Sequence, residues 1–298
     1  MRSQRLARSA LNSLVCQHNY SWSLNIFQNF GLLRSKEAKG TTGAVIWKVS
    51  HKMLQWLFTD FEAVQGPVKY QLAYNYKLAL FAPNNSIVEL GCGISGIFTS
   101  TVGSKVSTYI ATDQSHIIKH SSRNILANVN KSQVYSTTID ELSDTSNASC
   151  RGKSKIEIVE YDWEQANQQI DRLKNYLPET STTVAGRFPD WILASDTIYN
   201  SFLIPWFVDA LKLVCGPHTQ ILIAQQLRSE EIFGEFLEAL LSKGFEVWAI
   251  GMADDTVHDC SRGKDYIPSG FTDTELLENG LLGKGYSLHY LRLSQKVD

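Results

Sequence analysis

Short apolar runs alternate along the chain with longer stretches whose apolar residues recur every three to four positions. A short apolar run is typical of a buried strand, and a period near 3.6 is typical of a helix packed on one face. The apolar runs predict strands over residues 86–90, 106–111, 156–159, 191–194, 221–224, 245–250 and 286–293. The periodic stretches predict helices over residues 115–130, 163–176, 202–214 and 230–241.

This alternation predicts a doubly wound, Rossmann-like α/β fold with a seven-stranded, mostly parallel sheet. Strand–helix–strand units connect through right-handed crossovers, which place helices on both faces of the sheet. Ligands bind beyond the carboxyl ends of such strands, where the strand order reverses. We expect one α/β domain over residues 41–298, preceded by an N-terminal extension over residues 1–40.

The extension has a distinctive charge pattern. Residues 1–36 contain no acidic residue, and Arg2, Arg5, Arg8 and Arg34 fall within them. Apolar residues, among them Leu6, Ala10 and Leu14, recur at helical spacing. The segment fits a mitochondrial targeting sequence, but a basic amphipathic first helix or a poorly ordered start is the favoured interpretation. We expect a cytoplasmic protein, with a mitochondrial location as the alternative.

Composition excludes several classes of protein. The chain is 43% hydrophobic and 19% charged with a formal net charge of −2, which gives no electrostatic reason to expect direct binding of nucleic acid. Five cysteines without a C-x-x-C pair argue against a disulfide framework and a structural metal site. No apolar run approaches the roughly 18 residues that span a bilayer. We expect a monomer without a metal or membrane partner.

Three glycines follow the first predicted sheet strand as Gly91, Gly93 and Gly96, in the spacing G-x-G-x-x-G. Glycine permits positive φ and lets a ligand approach the backbone closely. The spacing fits a plain tight turn and the loop of a dinucleotide-binding protein as well. Glu89 lies two residues before the loop, where its carboxylate would face the amino group of a methionine moiety and repel a pyrophosphate. The pattern therefore favours S-adenosylmethionine over NAD.

Acidic residues also follow the next two strands. Asp113 lies 20 residues after Gly93, where a carboxylate accepts both hydroxyls of a ribose in NAD and S-adenosylmethionine proteins alike. Asp162 could accept a hydrogen bond from an adenine amino group, and Trp163 could stack on the base. Both aspartates could instead cap the helices that follow them. These positions predict a nucleoside site.

Taken together, residues 88–96, Asp113, residues 161–163 and residues 196–199 resemble the seven-β-strand protein lysine methyltransferases, in which D-x-x-Y follows the fourth strand. The T-G-x-x-x-W segment over residues 41–47 fits the same family. Residues 196–204 and 225–228 look most like its yeast ribosomal-protein lysine methyltransferases. Two positions depart from the pattern: His51 stands where a proline is expected, and Ser201 replaces an acidic residue.

The resemblance implies a class I S-adenosylmethionine-dependent methyltransferase that modifies a lysine of a protein, with a ribosomal protein as expected partner. Asp196 and Tyr199 would orient the lysine nitrogen, although Asp196 could merely cap the next helix. Trp47 would line the cofactor pocket or belong to the core. Ser195 is also expected to bind the cofactor. Arg228 would lie near the substrate.

Three alternatives stay open. The acceptor could be a translation factor or a mitochondrial protein. The chain could be an NAD-dependent oxidoreductase, which leaves the Asp-Trp and D-x-x-Y segments unexplained. It could also be a non-catalytic module that keeps the pocket.

Overall fold

One large β-sheet forms the centre of the protein. This computed structural model describes residues 7–15, 21–28, 43, 45–58, 79–143, 150–179, 186–250, 258–259 and 282–294. The strands are β1 (Ala7–Val15), β2 (Ser21–Gln28), β3 (Ser86–Leu90), β4 (Thr108–Asp113), β5 (Val134–Tyr135), β6 (Ser154–Glu160), β7 (Trp191–Ser195), β8 (Gln220–Gln226), β9 (Phe245–Ala249), β10 (His258–Asp259) and β11 (Tyr286–Leu293). The α-helices are α1 (Lys48–Phe58), α2 (Ile97–Val102), α3 (Ser115–Asn128), α4 (Ala166–Lys174), α5 (Leu203–Val214) and α6 (Glu230–Ser242).

The sheet has nine strands in the order β10-β9-β11-β8-β7-β3-β4-β6-β5. Neighbours from β8 to β5 are parallel, whereas β11 is antiparallel to both β8 and β9. The predicted doubly wound, mostly parallel sheet is confirmed, and all seven predicted strands are present. The two additional strands, β5 and β10, have two residues each, too few to leave a period in the sequence.

Side chains on the two faces of the sheet belong to two separate hydrophobic clusters. In β3, Ile87 packs in the cluster that includes residues of α1, α2 and α3. Val88 and Leu90 pack in the cluster of α4, α5 and α6. This alternation follows from the two-residue period of a strand. Because β3 lies between β7 and β4, the chain reverses direction of travel across the sheet beside β3, and a crevice is expected there.

The N-terminal extension contains an antiparallel hairpin, so the amphipathic first helix, one of the alternatives for this segment, is wrong. β1 pairs with β2 from Ala7 opposite Gln28 to Val15 opposite Ser21. Apolar residues four positions apart share one face of a strand as well as one face of a helix, which explains the error. The basic positions Arg2, Arg5 and Arg34 lie outside the described residues, and the boundary at residue 40 stays a prediction.

β2 is attached to α3 through side-chain amides. Asn124 accepts a hydrogen bond from the Phe27 N–H at 2.8 Å and donates to the Phe27 carbonyl at 3.0 Å. Asn128 makes the same pair of bonds with Asn25 at 2.7 and 3.0 Å. An amide side chain reproduces the donor and acceptor of a neighbouring strand, so α3 satisfies the edge of the hairpin.

Candidate functional site

A cleft opens at the carboxyl ends of the central parallel strands. Nine of the eleven predicted site residues line it: Trp47, Gly91, Gly93, Asp113, Asp162, Trp163, Ser195, Asp196 and Tyr199. The other lining residues are Gly43, Val45, Ser50, Cys92, Ser95, Gln114, Tyr161, Glu164, Thr197, Leu203 and Trp206. Residues that are up to 163 positions apart therefore meet where the topology predicts a ligand.

The floor of the cleft is the glycine loop after β3. Gly91 has a φ of 78°, and a Cβ there would lie 3.2 Å from the Thr197 side chain and 3.4 Å from Trp163. A side chain at this position would therefore fill the space where a ligand must lie. The loop is held from below by bonds from the Gly91 and Cys92 N–H groups to the Thr112 carbonyl, at 3.0 and 2.9 Å.

Asp113, at the end of β4, is fixed by backbone amides. Its Oδ2 accepts from the Gly93 N–H and its Oδ1 from the Gln114 N–H, both at 2.8 Å. Burial raises the pKa of Asp113 to about 6, and these two hydrogen bonds oppose the shift. Each carboxylate oxygen can accept a second hydrogen bond, so both can accept from hydroxyl groups of a ligand in the cleft. The side chain does not cap α3, whose N-cap is Gln114.

Asp162 and Trp163 form the neighbouring wall. Asp162 accepts from the Glu164 N–H at 3.1 Å and so caps the short turn that precedes α4, while its second oxygen lies 3.3 Å from Gln114 Nε2. Asp162 therefore caps this turn and also lines the cleft. The Trp163 indole packs edge-on against Phe207 with ring centroids 5.0 Å apart, which fixes its plane.

The opposite wall is built at the ends of β7 and β8. Asp196 has a left-handed backbone with φ of 56°, and its N–H donates to the Ala224 carbonyl at 2.8 Å. Strained backbone of this kind concentrates at functional sites. Both Asp196 oxygens accept from Arg228, each at 2.6 Å. Asp196 does not cap α5, because Asn200 Oδ1 accepts from the Leu203 N–H at 3.1 Å.

Helix α1 closes this wall from the side. The Ser50 and Ser195 hydroxyls are 2.9 Å apart. The Arg228 guanidinium lies 5.6 Å from the centre of the Trp47 ring, within range of a cation–π contact. Trp47 is thus a lining residue rather than part of the core formed by Met53 and its neighbours in α1.

Two predicted site residues lie elsewhere, and both assignments are corrected. Glu89 is 2% exposed on the α2 side of β3, where it accepts from Tyr109 Oη at 2.8 Å and Thr99 Oγ1 at 3.3 Å. It shares the strand face of Ile87 and points beneath the loop. Gly96 is needed for packing, because a Cβ there would lie 2.5 Å from the Ile125 side chain.

Several lining residues left little sequence signal. Gln114 directly follows Asp113 and Glu164 directly follows Trp163, so both could have been found from that proximity. Thr197 lies inside the D-x-x-Y segment. Ser50 and Trp206 reach the cleft only because α1 and α5 pack beside it, so tertiary structure alone identifies them.

The lining carries four carboxylates, those of Asp113, Asp162, Glu164 and Asp196, and none of the described lining residues is Lys, Arg or His. Such a surface attracts cations and repels phosphate groups. Among the described residues there is also no cluster of His, Cys, Asp and Glu that could hold a metal ion. The acidic lining is therefore suited to a cationic ligand.

S-adenosylmethionine fits these residues. Trp163 Nε1 and Thr197 Oγ1 are buried in the wall without a hydrogen-bond partner in the described structure. Buried polar atoms are normally paired, and a polar ligand in the cleft would offer these two a partner. The Asp113 oxygens suit ribose hydroxyls, the indole plane suits a base, and the acidic lining suits a sulfonium and an amino group.

Comparison with known proteins agrees with this chemistry. A family model described as lysine methyltransferase matches residues 27–243. A ribosomal lysine N-methyltransferase 5 from Zygosaccharomyces rouxii is 31% identical over 220 residues, which cover 70% of this chain and 67% of the relative. Its counterpart from Saccharomyces cerevisiae S288c is 28% identical over 270 residues, which cover 77% and 74%.

Among solved structures, the fibrillarin of Aeropyrum pernix with bound S-adenosyl-L-methionine is 9% identical with a TM-score of 0.39. The match covers 71% of this chain and 67% of that one. The family model spans well over half of the chain. This protein therefore belongs to the lysine methyltransferase family.

Proposed function

We propose that this S-adenosylmethionine-dependent protein-lysine methyltransferase modifies a lysine of a ribosomal protein of the large subunit. Two observations support this acceptor. The relatives that match most of the chain are named ribosomal lysine N-methyltransferases. The segments over residues 196–204 and 225–228 also resemble that group. A translation factor or a mitochondrial protein is the alternative acceptor.

The charge of the cleft is the observation that carries the chemistry. Four carboxylates line it, of which Asp196 is paired with Arg228 and the other three supply the negative charge, and none of the described lining residues is cationic. NAD would place a pyrophosphate against this surface, whereas S-adenosylmethionine presents a sulfonium and an ammonium. The same field favours the approach of a lysine side chain. The structure thus supports methyl transfer over hydride transfer.

The reaction needs an aligned, neutral amine. S-adenosylmethionine supplies the methyl carbon: the lysine nitrogen lone pair forms the N–C bond while the C–S bond pair stays on sulfur. Before this step the lysine ammonium gives its proton to water, which costs about 4.6 kcal/mol at pH 7 for a pKa of about 10.4. Positioning of the two reactants can lower the barrier by about 7–11 kcal/mol.

Asp196 and Tyr199 are the residues that we assign to the lysine. Both line the cleft after β7, on the wall opposite Asp113 and Trp163. Tyr199 offers an oxygen that can accept from the lysine nitrogen and an aromatic wall beside its chain. Trp206, which lines the cleft and is 39% exposed, and Phe202, which is 67% exposed, lie at the start of α5. An apolar stem of lysine can pack against such a rim.

The test is transfer of radiolabelled methyl groups onto ribosomal proteins from cells that lack the gene, followed by mass spectrometry of the labelled protein. We expect one labelled large-subunit protein, modified on a lysine. Wild-type ribosomal proteins, already methylated, are the control and should take up little label. Label on a different class of protein would reject the ribosomal acceptor, and a thermal shift with NAD but not with S-adenosylmethionine would reject the chemistry.

We further propose that the enzyme acts as a monomer in the cytoplasm. The buried contacts between β2 and α3 support this location, because removal of residues 1–36 as a targeting sequence would open them. None of the described helices is long and apolar enough to cross a membrane.

A further inference from the structure

The carboxylate that faces the acceptor lysine is already paired in the free protein. The Arg228 Nη1 and Nη2 atoms donate to Asp196 Oδ1 and Oδ2, each at 2.6 Å. The side chain of Asp196 is 2% exposed and that of Arg228 is 35% exposed. A two-point guanidinium–carboxylate contact of this length is among the strongest charge-assisted hydrogen bonds in proteins.

An unpaired carboxylate at this position would oppose the reaction. A negative charge within about 4–6 Å stabilises an ammonium and raises its pKa. The acceptor lysine must lose its proton before it can attack, so a bare Asp196 would bind lysine well in its unreactive form. A guanidinium on both oxygens cancels this effect while it leaves the carboxylate in place as an acceptor.

Arg228 is held in place beside Asp196 by its neighbours. Its guanidinium lies over the Trp47 ring, and it follows β8, whereas Asp196 follows β7. The hydrogen bonds to Asp196 raise the pKa of Arg228 against the opposing effect of burial. Other charged and titratable groups on the walls and on the elements packed here include Asp113, Tyr161, Asp162, Glu164, Tyr199, Cys92, Lys48, His51, Lys52 and Tyr286. Lys52 lies 4.7 Å from the Tyr286 ring, and burial lowers the pKa of His51.

We propose that Arg228 is a positioning residue that neutralises Asp196, so that the carboxylate orients the acceptor lysine without holding it in its protonated form. This inference rests on the proposed lysine methylation. Arg228 acts on the substrate through Asp196 and does not itself contact the reacting atoms.

The first test measures the single-turnover rate of methyl transfer to ribosomal proteins as a function of pH. In Arg228→Gln, the pH at which the rate is half-maximal should rise by about 1 to 3 pH units, because Asp196 then stabilises the lysine ammonium. In the double variant Arg228→Gln/Asp196→Asn, which carries no charge at either position, this midpoint should return to the wild-type value. A matched control is Arg187→Gln, which removes an exposed arginine paired with Glu179 and should leave the profile unchanged.

A purely structural role for Arg228 predicts something different: a rate that falls at every pH with an unmoved midpoint. That result would overturn the proposal. Thermal unfolding of each variant establishes that it is folded. If Arg228→Gln does not fold, Arg228→Lys replaces it; its single-point contact leaves one Asp196 oxygen open, and the midpoint should rise by a smaller amount.

The second test needs no acceptor protein. It measures binding of n-butylammonium, which has the charge and apolar chain of a lysine tip, by ligand-observed NMR at pH 7. Arg228→Gln should bind this probe about 10-fold more tightly than wild type or the double variant. Equal binding by wild type and Arg228→Gln would mean that Arg228 leaves Asp196 when an ammonium arrives, and would refute neutralisation. If wild type labels no ribosomal protein, the proposed acceptor fails, while the probe still decides the role of Arg228.

Discussion

The two walls of the cleft each present an aspartate at a strand end, yet they hold it by different means. Asp113, after β4, is held by the backbone N–H groups of Gly93 and Gln114. Asp196, after β7, is held by the guanidinium of Arg228. Both arrangements fix the two carboxylate oxygens, but only the second brings a full positive charge.

The difference in how the two aspartates are held suits the ligand group that we assign to each wall. Neutral amides leave the charge of Asp113 available, which suits the hydroxyl donors of a ribose that carry no proton to be lost. A lysine is different, since its proton must leave before it reacts, and a compensated carboxylate suits it. On the proposed assignment, two similar side chains serve binding on one wall and reaction on the other because of their second partners.

The largest expected effect is on the reaction wall. In Asp196→Ala the lysine loses its orienting acceptor and Arg228 loses its partner, so methyl transfer should fall at least about 100-fold, since a small misplacement of reacting atoms can cost that much. Affinity for S-adenosylmethionine, measured by calorimetry, should change little. The matched control is Asp209→Ala, an exposed aspartate that pairs with Lys243 on the surface. Full activity in Asp196→Ala would remove Asp196 from the catalytic set.

The opposite wall should respond in the opposite way. Asp113→Asn removes a charged acceptor of ribose hydroxyls, and hydrogen bonds to charged groups contribute about 1.5–3 kcal/mol. Affinity for S-adenosylmethionine should therefore fall about 10- to 100-fold. The rate at saturating donor should stay within a few-fold of wild type. Asp140→Asn, at an exposed position, is the control; a loss of rate without a loss of affinity would show that the walls are not divided in this way.

The carboxylate beneath both walls should affect stability rather than activity. Burial raises the pKa of Glu89 from 4.5 to about 7, although hydrogen bonds from Tyr109 and Thr99 oppose the shift. Because the folded-state pKa is the higher one, the folded protein binds the proton more tightly, and stability is lost as pH rises from about 4.5 through 7. Glu89→Gln keeps an acceptor for both neighbours and removes this loss.

Relative to wild type, the free energy of unfolding of Glu89→Gln should therefore increase by about 3 kcal/mol between pH 4.5 and pH 7.5. Urea denaturation at both pH values measures it. Glu141→Gln, at an exposed site, should show no such pH-dependent difference. A flat difference for Glu89→Gln would mean that the buried carboxylate is ionised throughout this range.

Local patterns were sufficient to predict the seven main strands and nine of the residues that line the cleft. The residues that follow a parallel strand necessarily meet at one edge of the sheet, so Asp113, Asp162 and Asp196 could be placed from sequence. Glu89 could not, because its direction depends on which face of β3 carries α2. The Arg228–Asp196 pair spans 32 residues and two strand ends, and no local pattern records that contact.

The N-terminal hairpin was missed for a different reason. A spacing of four residues is shared by helix and strand, and only contact with α3 selects the strand. Gly96 was misassigned because the G-x-G-x-x-G spacing does not distinguish a glycine that faces the ligand from one that admits Ile125.

The amide contacts of Asn124 also set where the protein can be shortened. Besides its bonds to Phe27, Asn124 donates to the Ile94 carbonyl at 2.6 Å, next to the glycine loop. A fragment that begins after Gln28 would lack Leu24 and Ile26, now 4% and 1% exposed, would uncover the core residues that they pack against, and would leave this asparagine half-paired directly behind the donor site. Shortened versions for crystallisation should therefore start before Ser21. Purification tags at the amino terminus need a linker long enough to leave the hairpin packed against α3.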